Sequence, residues 1–356
     1  MLLAALAALA LTTQDAPPPA PATPIEQLGA AIGTGQTSGP DFEAARAAVM
    51  ADARRGDPAA MNMAGILAQN GLVNSDRSAE DWYRAVMAGN NGDEASAATL
   101  NLALLYYGAA GRAAEARALL EGIETAPPHI LSQVQGYLGF DYLYGVGGEA
   151  KTELGRASLN GAIINGFNNA YILDAYGQFW LEPPEGVEPR PDRADEMFRR
   201  AAQAGSVNAA WRLAMLILST GGQEGEAWQY IQWASEQGHG NAMVSRAVML
   251  ALGQGVEANP AEARVWYLNA AKAGESHGLR GLGWMYVTGE GGDANPPLGY
   301  AMLDIAAEAG DPGVAASLSA LADEGYERPS DAEVRAAREA FTAAEGLNAD
   351  SFGQRG

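Results

Sequence analysis

Four helix tails in this chain end on glycine in the same manner: Gln203-Ala204-Gly205, Glu236-Gln237-Gly238, Lys272-Ala273-Gly274 and Glu308-Ala309-Gly310. The glycines lie 33, 36 and 36 residues apart, and each is followed by a fresh run of small and apolar residues. A fixed period in this range marks stacked helix pairs, in which each unit completes the core of its neighbour. The functional question moves accordingly from which reaction is catalysed to which partner is held.

The clearest unit covers residues 240–274. Its first helix runs from Asn241 to the turn Gly253-Gln254-Gly255, and Pro260 opens the second, where a missing N–H costs nothing. That second helix carries Trp266-Tyr267 and Ala270-Ala271, and Gly274 stops it. The next unit repeats the plan with Leu282-Gly283-Trp284, Gly289-Glu290-Gly291 and Asn295-Pro296. Earlier units begin near Ala60, Glu94, Tyr137 and Asn169, and residues 181–191 form an insertion too rich in proline for helix. Residues 41–55 read as a leading helix. Ser330 and Glu333 form a capping box at the head of a charged closing helix. No alternating apolar pattern marks a strand.

Small residue, Leu-Gly, aromatic, Gly-x-Gly, then Ala, Trp-Tyr, Ala-Ala and Gly over about 36 residues resembles the Sel1-like repeat, a relative of the tetratricopeptide repeat. The resemblance covers roughly residues 56–323, is strong at 240–310 and is degenerate between 94 and 165. It places the family's glycines on Gly283, Gly289 and Gly291 and its Trp-Tyr pair on Trp82-Tyr83 and Trp266-Tyr267. His239, after a repeat-ending glycine, also stands where the family often has His. The implied fold class is all-α: a right-handed α-solenoid of stacked antiparallel helix pairs. Arg246 falls where Leu282 does, and the unit at 207–238 lacks Gly-x-Gly-Val. Gly139 and Gly283 inside helices require close approach of the paired helix with an aromatic over the gap, and Trp266 is expected in the core.

Composition narrows the partner. Asp and Glu outnumber Lys and Arg by 43 to 22, a net charge of −21 that repels phosphate backbones and excludes nucleic acid as the expected ligand. The chain has no cysteine, hence no disulfide, thiolate metal site or Cys nucleophile. Residues 1–11 read MLLAALAALAL, too short to span a bilayer and matched to the apolar core of a secretory leader, although no Lys or Arg precedes it. Ala10 and Ala16 both suit cleavage. The expected organisation is a leader at 1–16, a Pro/Ala-rich linker at 17–40, the repeat solenoid at 41–323 and a capping helix and tail at 324–356. Periplasmic or secreted localisation follows, with a cytoplasmic location as the alternative. No stable membrane insertion is expected.

Residues able to do chemistry are sparse. His129, His239 and His277 lie far apart, and capping or inter-repeat hydrogen bonding is favoured over metal ligation. Neither His-Glu-x-x-His nor Gly-x-Ser-x-Gly is present. Gly145-Val146-Gly147-Gly148 and Gly289-Glu290-Gly291-Gly292 look like phosphate loops, yet neither continues into Gly-Lys-Ser/Thr and both fall at helix–helix turns. Glu182, Glu185, Glu188 and Asp192 are read as a solvated loop rather than a cation site, and Trp228, Tyr230 and Trp233 as packing. No catalytic, cofactor or metal residue is assigned, and no cofactor is expected.

One set stands out as a candidate partner-binding site: Trp211, Arg212, Arg246, Arg280 and Trp284, on successive first helices of an acidic chain. In tetratricopeptide-type units these helices line the concave groove, and Arg and Trp dominate binding hot spots. The alternative is that each Arg pairs with a local carboxylate. The expected function is a non-enzymatic scaffold of the bacterial cell envelope that binds a protein or peptide. Two further readings are an envelope hydrolase of the Sel1-like β-lactamase or penicillin-binding type, disfavoured by the missing cysteines and Ser-x-x-Lys, and a cytoplasmic chaperone-like adaptor.

Overall fold

The computed structural model describes residues 22–89 and 92–352, so the expected leader lies outside the described residues. Among the described residues there are 18 α-helices, a short 3-10 turn at Ala349–Phe352 and no strand. The helices are α1 (Pro24–Thr34), α2 (Pro40–Arg55), α3 (Pro58–Gln69), α4 (Ala79–Ala88), α5 (Asp93–Tyr107), α6 (Ala113–Glu121), α7 (Pro128–Tyr144), α8 (Thr152–Ile164) and α9 (Ala170–Leu181). They continue as α10 (Pro191–Gln203), α11 (Val207–Thr220), α12 (Glu224–Glu236), α13 (Gly240–Leu252), α14 (Pro260–Lys272), α15 (Ser276–Thr288), α16 (Pro296–Glu308), α17 (Val314–Asp323) and α18 (Asp331–Glu345). Two compact units divide within α9, unit one up to Ile172 and unit two from Leu173. Unit one contains the pairs α3/α4, α5/α6 and α7/α8. Unit two contains α11/α12, α13/α14 and α15/α16, with α18 packed on α16.

The repeat-ending glycines are the hinges of this plan. Gly205, Gly238, Gly274 and Gly310 have φ of 95°, 88°, 95° and 85°, the left-handed region that favours glycine. The Gly-x-Gly turn has a different cause. A Cβ on Gly147, Gly255 or Gly291 would stand 2.5, 2.4 or 2.3 Å from the carbonyl oxygen of Ala113, Glu224 or Pro260. Each of these second glycines therefore lets its turn lie on the start of the second helix of the preceding pair. Arginines fasten two of the three contacts. Arg264 on α14 donates to the carbonyls of Met285, Glu290, Gly292 and Asp293 and covers the Tyr286 ring at 4.4 Å. In unit one Arg117 on α6 donates to the Val146 and Glu149 carbonyls and covers Tyr142 at 4.5 Å.

Glycines inside helices fall into two kinds. A Cβ on Gly283 would come 2.8 Å from the Gly299 carbonyl oxygen, and one on Gly139 would come 2.7 Å from Leu159 Cγ and 3.0 Å from the Gly155 carbonyl oxygen. The paired helix does approach closely at these two, and the atoms nearest each Cβ belong to backbone and aliphatic side chains, not to an aromatic ring. Aromatic rings instead fill the space beside Gly65 (Tyr83), Gly136 (Phe167), Gly177 (Phe198) and Gly281 (Tyr267). The core residue of the Trp266-Tyr267 pair is thus Tyr267, 8% exposed, while Trp266 is half-buried and bonds through Nε1 to Glu262.

The expected linker at 17–40 needs correction over its described part. Residues 24–34 are helical because Thr23 and Glu26 make a capping box and Pro24 occupies the first turn. Leu28 and Ile32 of α1 are buried in unit one's core. The proline that reads as linker is a helix start. At the other end, the Ser330/Glu333 capping box of α18 is formed.

Candidate partner-binding site

Two of the three helices that carry the candidate residues, α11 and α13, are begun by side-chain caps. Ser206 Oγ accepts the Ala209 N–H to start α11, and His239 Nδ1 accepts the Ala242 N–H to start α13. Glu275 holds the same place before α15. The His239 Nε2 lies 2.9 Å from Asn208 Oδ1, so this ring is both a cap and a tie between repeats. Burial, and secondarily the Arg212 charge, push the His239 pKa below its ordinary value.

Counting from those caps separates the three arginines. Arg280 is five residues after its cap, Arg212 six and Arg246 seven. Each step turns the side chain about 100° around a helix, so they do not form a stripe. Arg246 shares its register with the buried Leu213 and Leu282, and it is itself only 8% exposed. Its guanidinium lies 4.0 Å from the centre of the Trp266 ring and 5.4 Å from that of Trp228. It bonds Ser235 Oγ at 3.2 Å and Glu236 at 3.3 Å. Arg246 therefore does not belong to a binding surface: it joins α13 to the second helices α12 and α14.

Arg280 is also engaged. Its Nε donates to both oxygens of Asp311 at 3.1 Å, and Asp311 in turn accepts the Gly313 N–H at the head of α17. Trp284 is half-buried, with Nε1 3.3 Å from Glu290 Oε1.

Trp211 and Arg212 are partnered too, but they differ in sharing a cavity. Both line a cavity of about 340 Å³ in unit two, with Gln178, Leu181 and Glu182 from the α9 side and Phe198, Met215, Leu216 and Ser219 completing it. Trp211 is held in place: its Nε1 donates to Ser245 Oγ at 3.2 Å and its ring lies 5.3 Å from that of His239. Arg212 Nη1 donates to Asp174 Oδ1 at 2.9 Å. Burial, opposed by Arg212, raises the pKa of Asp174 above the usual carboxylate range. A larger open cleft of about 880 Å³ in unit one, between the start of α5 and the α6–α7 loop, contains none of the five candidates.

Register also points to residues that composition alone passes over. Met215, Val248 and Trp284 each stand nine residues after their cap, and Ser219, Leu252 and Thr288 thirteen, for α11, α13 and α15 (Trp284 and Thr288 counted from Glu275). Leu252 is 72% exposed, among the large apolar side chains most open to solvent. The signal lies in α11, α13 and α15 taken together: they contain no Asp or Glu at all. Their partners α12, α14 and α16 carry Glu224, Glu226, Glu236, Glu262, Asp304 and Glu308. In a chain with 43 acidic residues, the helical carboxylates of these three pairs are confined to the second helices.

The remaining sequence candidates have structural places. The two glycine-rich segments are turns between paired helices, with Gly145 and Gly289 as left-handed caps. Arg190 and Asp192 pair with each other at the end of the proline-rich insertion. Trp228, Tyr230 and Trp233 are half-buried against the core of unit two. Among the described residues no helix is long and apolar enough to cross a membrane.

No family model matches the chain, and no curated protein matches it. Solved structures do. One is c5321, a protective antigen present in uropathogenic Escherichia coli strains displaying an SLR fold: TM-score 0.66, 18% identity, covering 87% of this chain and 66% of c5321. Another is a Sel1 repeat protein from Oxalobacter formigenes, with TM-score 0.54 and 19% identity, covering 69% of this chain and 99% of that one. This chain thus spans just under two thirds of c5321's length. With its helices in antiparallel pairs closed by left-handed glycines, the chain has the Sel1-like repeat fold.

Proposed function

We propose that this protein is a non-enzymatic interaction scaffold of the bacterial cell envelope, holding a protein or peptide partner on the first-helix face of α11, α13 and α15. The observation that carries the reading is the absence of carboxylates from those three helices in so acidic a chain. Burying a charged group at an interface is costly unless it is paired, and the centres of interfaces are poor in Asp and Glu. Helices free of them, carrying the half-buried Trp211, Met215, Val248 and Trp284 and the exposed Leu252, have the composition of an interface centre, with Glu290 at Trp284 and Glu182 in the cavity supplied from outside those helices. The cavity beside Trp211 provides a concave anchor point of the kind that hot-spot side chains fill.

Site-specific photocrosslinking tests this directly. A photoreactive residue at Leu252 is expected to yield adducts in cells, whereas one at Val265, 55% exposed on the second helix α14, is expected to yield none. Adducts from position 265 alone would refute the assignment of the face. Export is checked separately: the mature chain in the envelope fraction is expected to begin between residues 11 and 17, and an intact leader there counts against it.

A further inference from the structure

Arg212 is oriented by one end only. Its Nη1 donates to Asp174 Oδ1, and no other hydrogen bond reaches the guanidinium among the described residues. A guanidinium has five N–H donors in a rigid plane, so its outer edge is left over. The Arg212 side chain is 31% exposed and borders the cavity, while Asp174 beneath it is 9% exposed. Asp174 thus fixes the fork without covering it, and the fixed fork loses little freedom when it takes a second acceptor.

The cavity that Arg212 borders is lined also by Trp211, Leu181, Met215, Leu216 and Phe198. Beyond it, along α13 and α15, the face continues as Val248, Leu252 and Trp284, with no carboxylate in either helix to repel an anion. The opposing group in the cavity is Glu182, exposed just past the end of α9. The net charge of −21 opposes a run of acidic residues at long range, whereas one carboxylate is answered locally by one guanidinium.

We propose that the segment held on this face is an internal stretch of polypeptide that places one Asp or Glu side chain on the outer edge of Arg212 and a neighbouring large apolar side chain in the cavity beside Trp211. The proposal rests on the binding face assigned above. An internal carboxylate, not a chain end, is specified because two further helices without Asp or Glu, α13 and α15, carry the face on past the cavity, and a segment must continue to cover them.

The test is to pan a random dodecapeptide library, displayed away from its free ends, on the full chain. Wild type is expected to enrich an Asp or Glu next to Leu, Ile, Phe or Trp. The double variant Arg212→Gln/Asp174→Asn, which leaves no buried carboxylate alone, is expected to retain the apolar preference and lose the acidic one. A synthetic, C-terminally amidated peptide from the wild-type pool is expected to bind that variant about tenfold more weakly or worse. Changing the peptide's acid to its amide is expected to have the same effect on wild type and none on the variant. Glu182→Gln is expected to tighten binding. A wild-type pool with apolar but no acidic preference, or with a basic one, overturns this inference and leaves the binding face standing. No enrichment at all, or a pool indifferent to Met215→Asp, overturns both.

Discussion

At the scale of the residue, Arg246 is a cation enclosed by two indole rings and two glutamates that are themselves partly exposed. Removing it leaves no buried charge unpaired, so the loss is mostly one of packing and cation–π contact. Arg246→Ala is expected to cost about 2–4 kcal/mol in urea unfolding. Arg246→Leu, which restores the residue type found at the same register in Leu213 and Leu282, is expected to stay within about 1 kcal/mol of wild type. Equal, large losses in both variants would mean that the charge itself is essential. The same residue shows how far sequence reading goes. Its coincidence with Leu282 was legible, and that register already marks a core position. Residue type obscured it, because Arg and Trp on successive first helices look alike until their distances from the caps are counted. Trp211 and Arg212 share a cavity for reasons no spacing reveals, since Asp174, Leu181 and Phe198 arrive from other helices.

At the scale of the element, two glycines in paired helices have opposite meanings. Gly283→Ala is expected to destabilise by about 1–3 kcal/mol, because its Cβ meets backbone that cannot yield. Gly161→Ala in α8, where the nearest atom is a side-chain oxygen 3.7 Å away, is expected to stabilise by about 0.5–1 kcal/mol. Losses from both would remove the distinction. The α5–α7 contact contains a second test. Asp141 is 1% exposed and follows Gly139 as Met285 follows Gly283, so a carboxyl occupies an apolar register. It bonds the Tyr107 hydroxyl, and Arg117 and Glu121 of α6 act on it at longer range. Burial raises its pKa from 3.8 to about 7, against the opposing pull of Tyr107 and Arg117. Below pH 3.8 it is protonated whether folded or not. Between 3.8 and 7 only the unfolded chain gives up the proton, so its contribution to stability is lost as pH rises through 7. Asp141→Asn is therefore expected to be more stable than wild type by about 2–4 kcal/mol at pH 8, with the difference shrinking toward pH 4. A difference independent of pH would assign the effect to packing. The stretch containing this pair lies where the repeat pattern is degenerate, at 94–165, because the unit that carries Tyr107 is shortened.

At the scale of the whole chain, helix pairs, caps and turns were legible because each rests on local chemistry: left-handed glycine, first-turn proline, capping box. The division at residue 172 was not, since it depends on which packed surfaces are shared, and α1 was hidden by its own proline. That division has a spectroscopic counterpart. Trp82 is the single tryptophan before it, and the other six follow. Fluorescence thus reports chiefly on unit two while far-UV circular dichroism reports on both. Repeat proteins depart readily from two-state unfolding. At pH 8, where Asp141 weakens unit one, the dichroism change is expected to begin at lower urea than the fluorescence change, and Asp141→Asn is expected to bring the curves together. Coincident curves for wild type would show a single cooperative body. The arginine staples have a consequence of another kind. Arg117 and Arg264 stand earlier in the chain than the turns they grip. A chain that emerges with its N-terminus first, from a ribosome or through a membrane, therefore presents each of these two clasps before the loop it closes on.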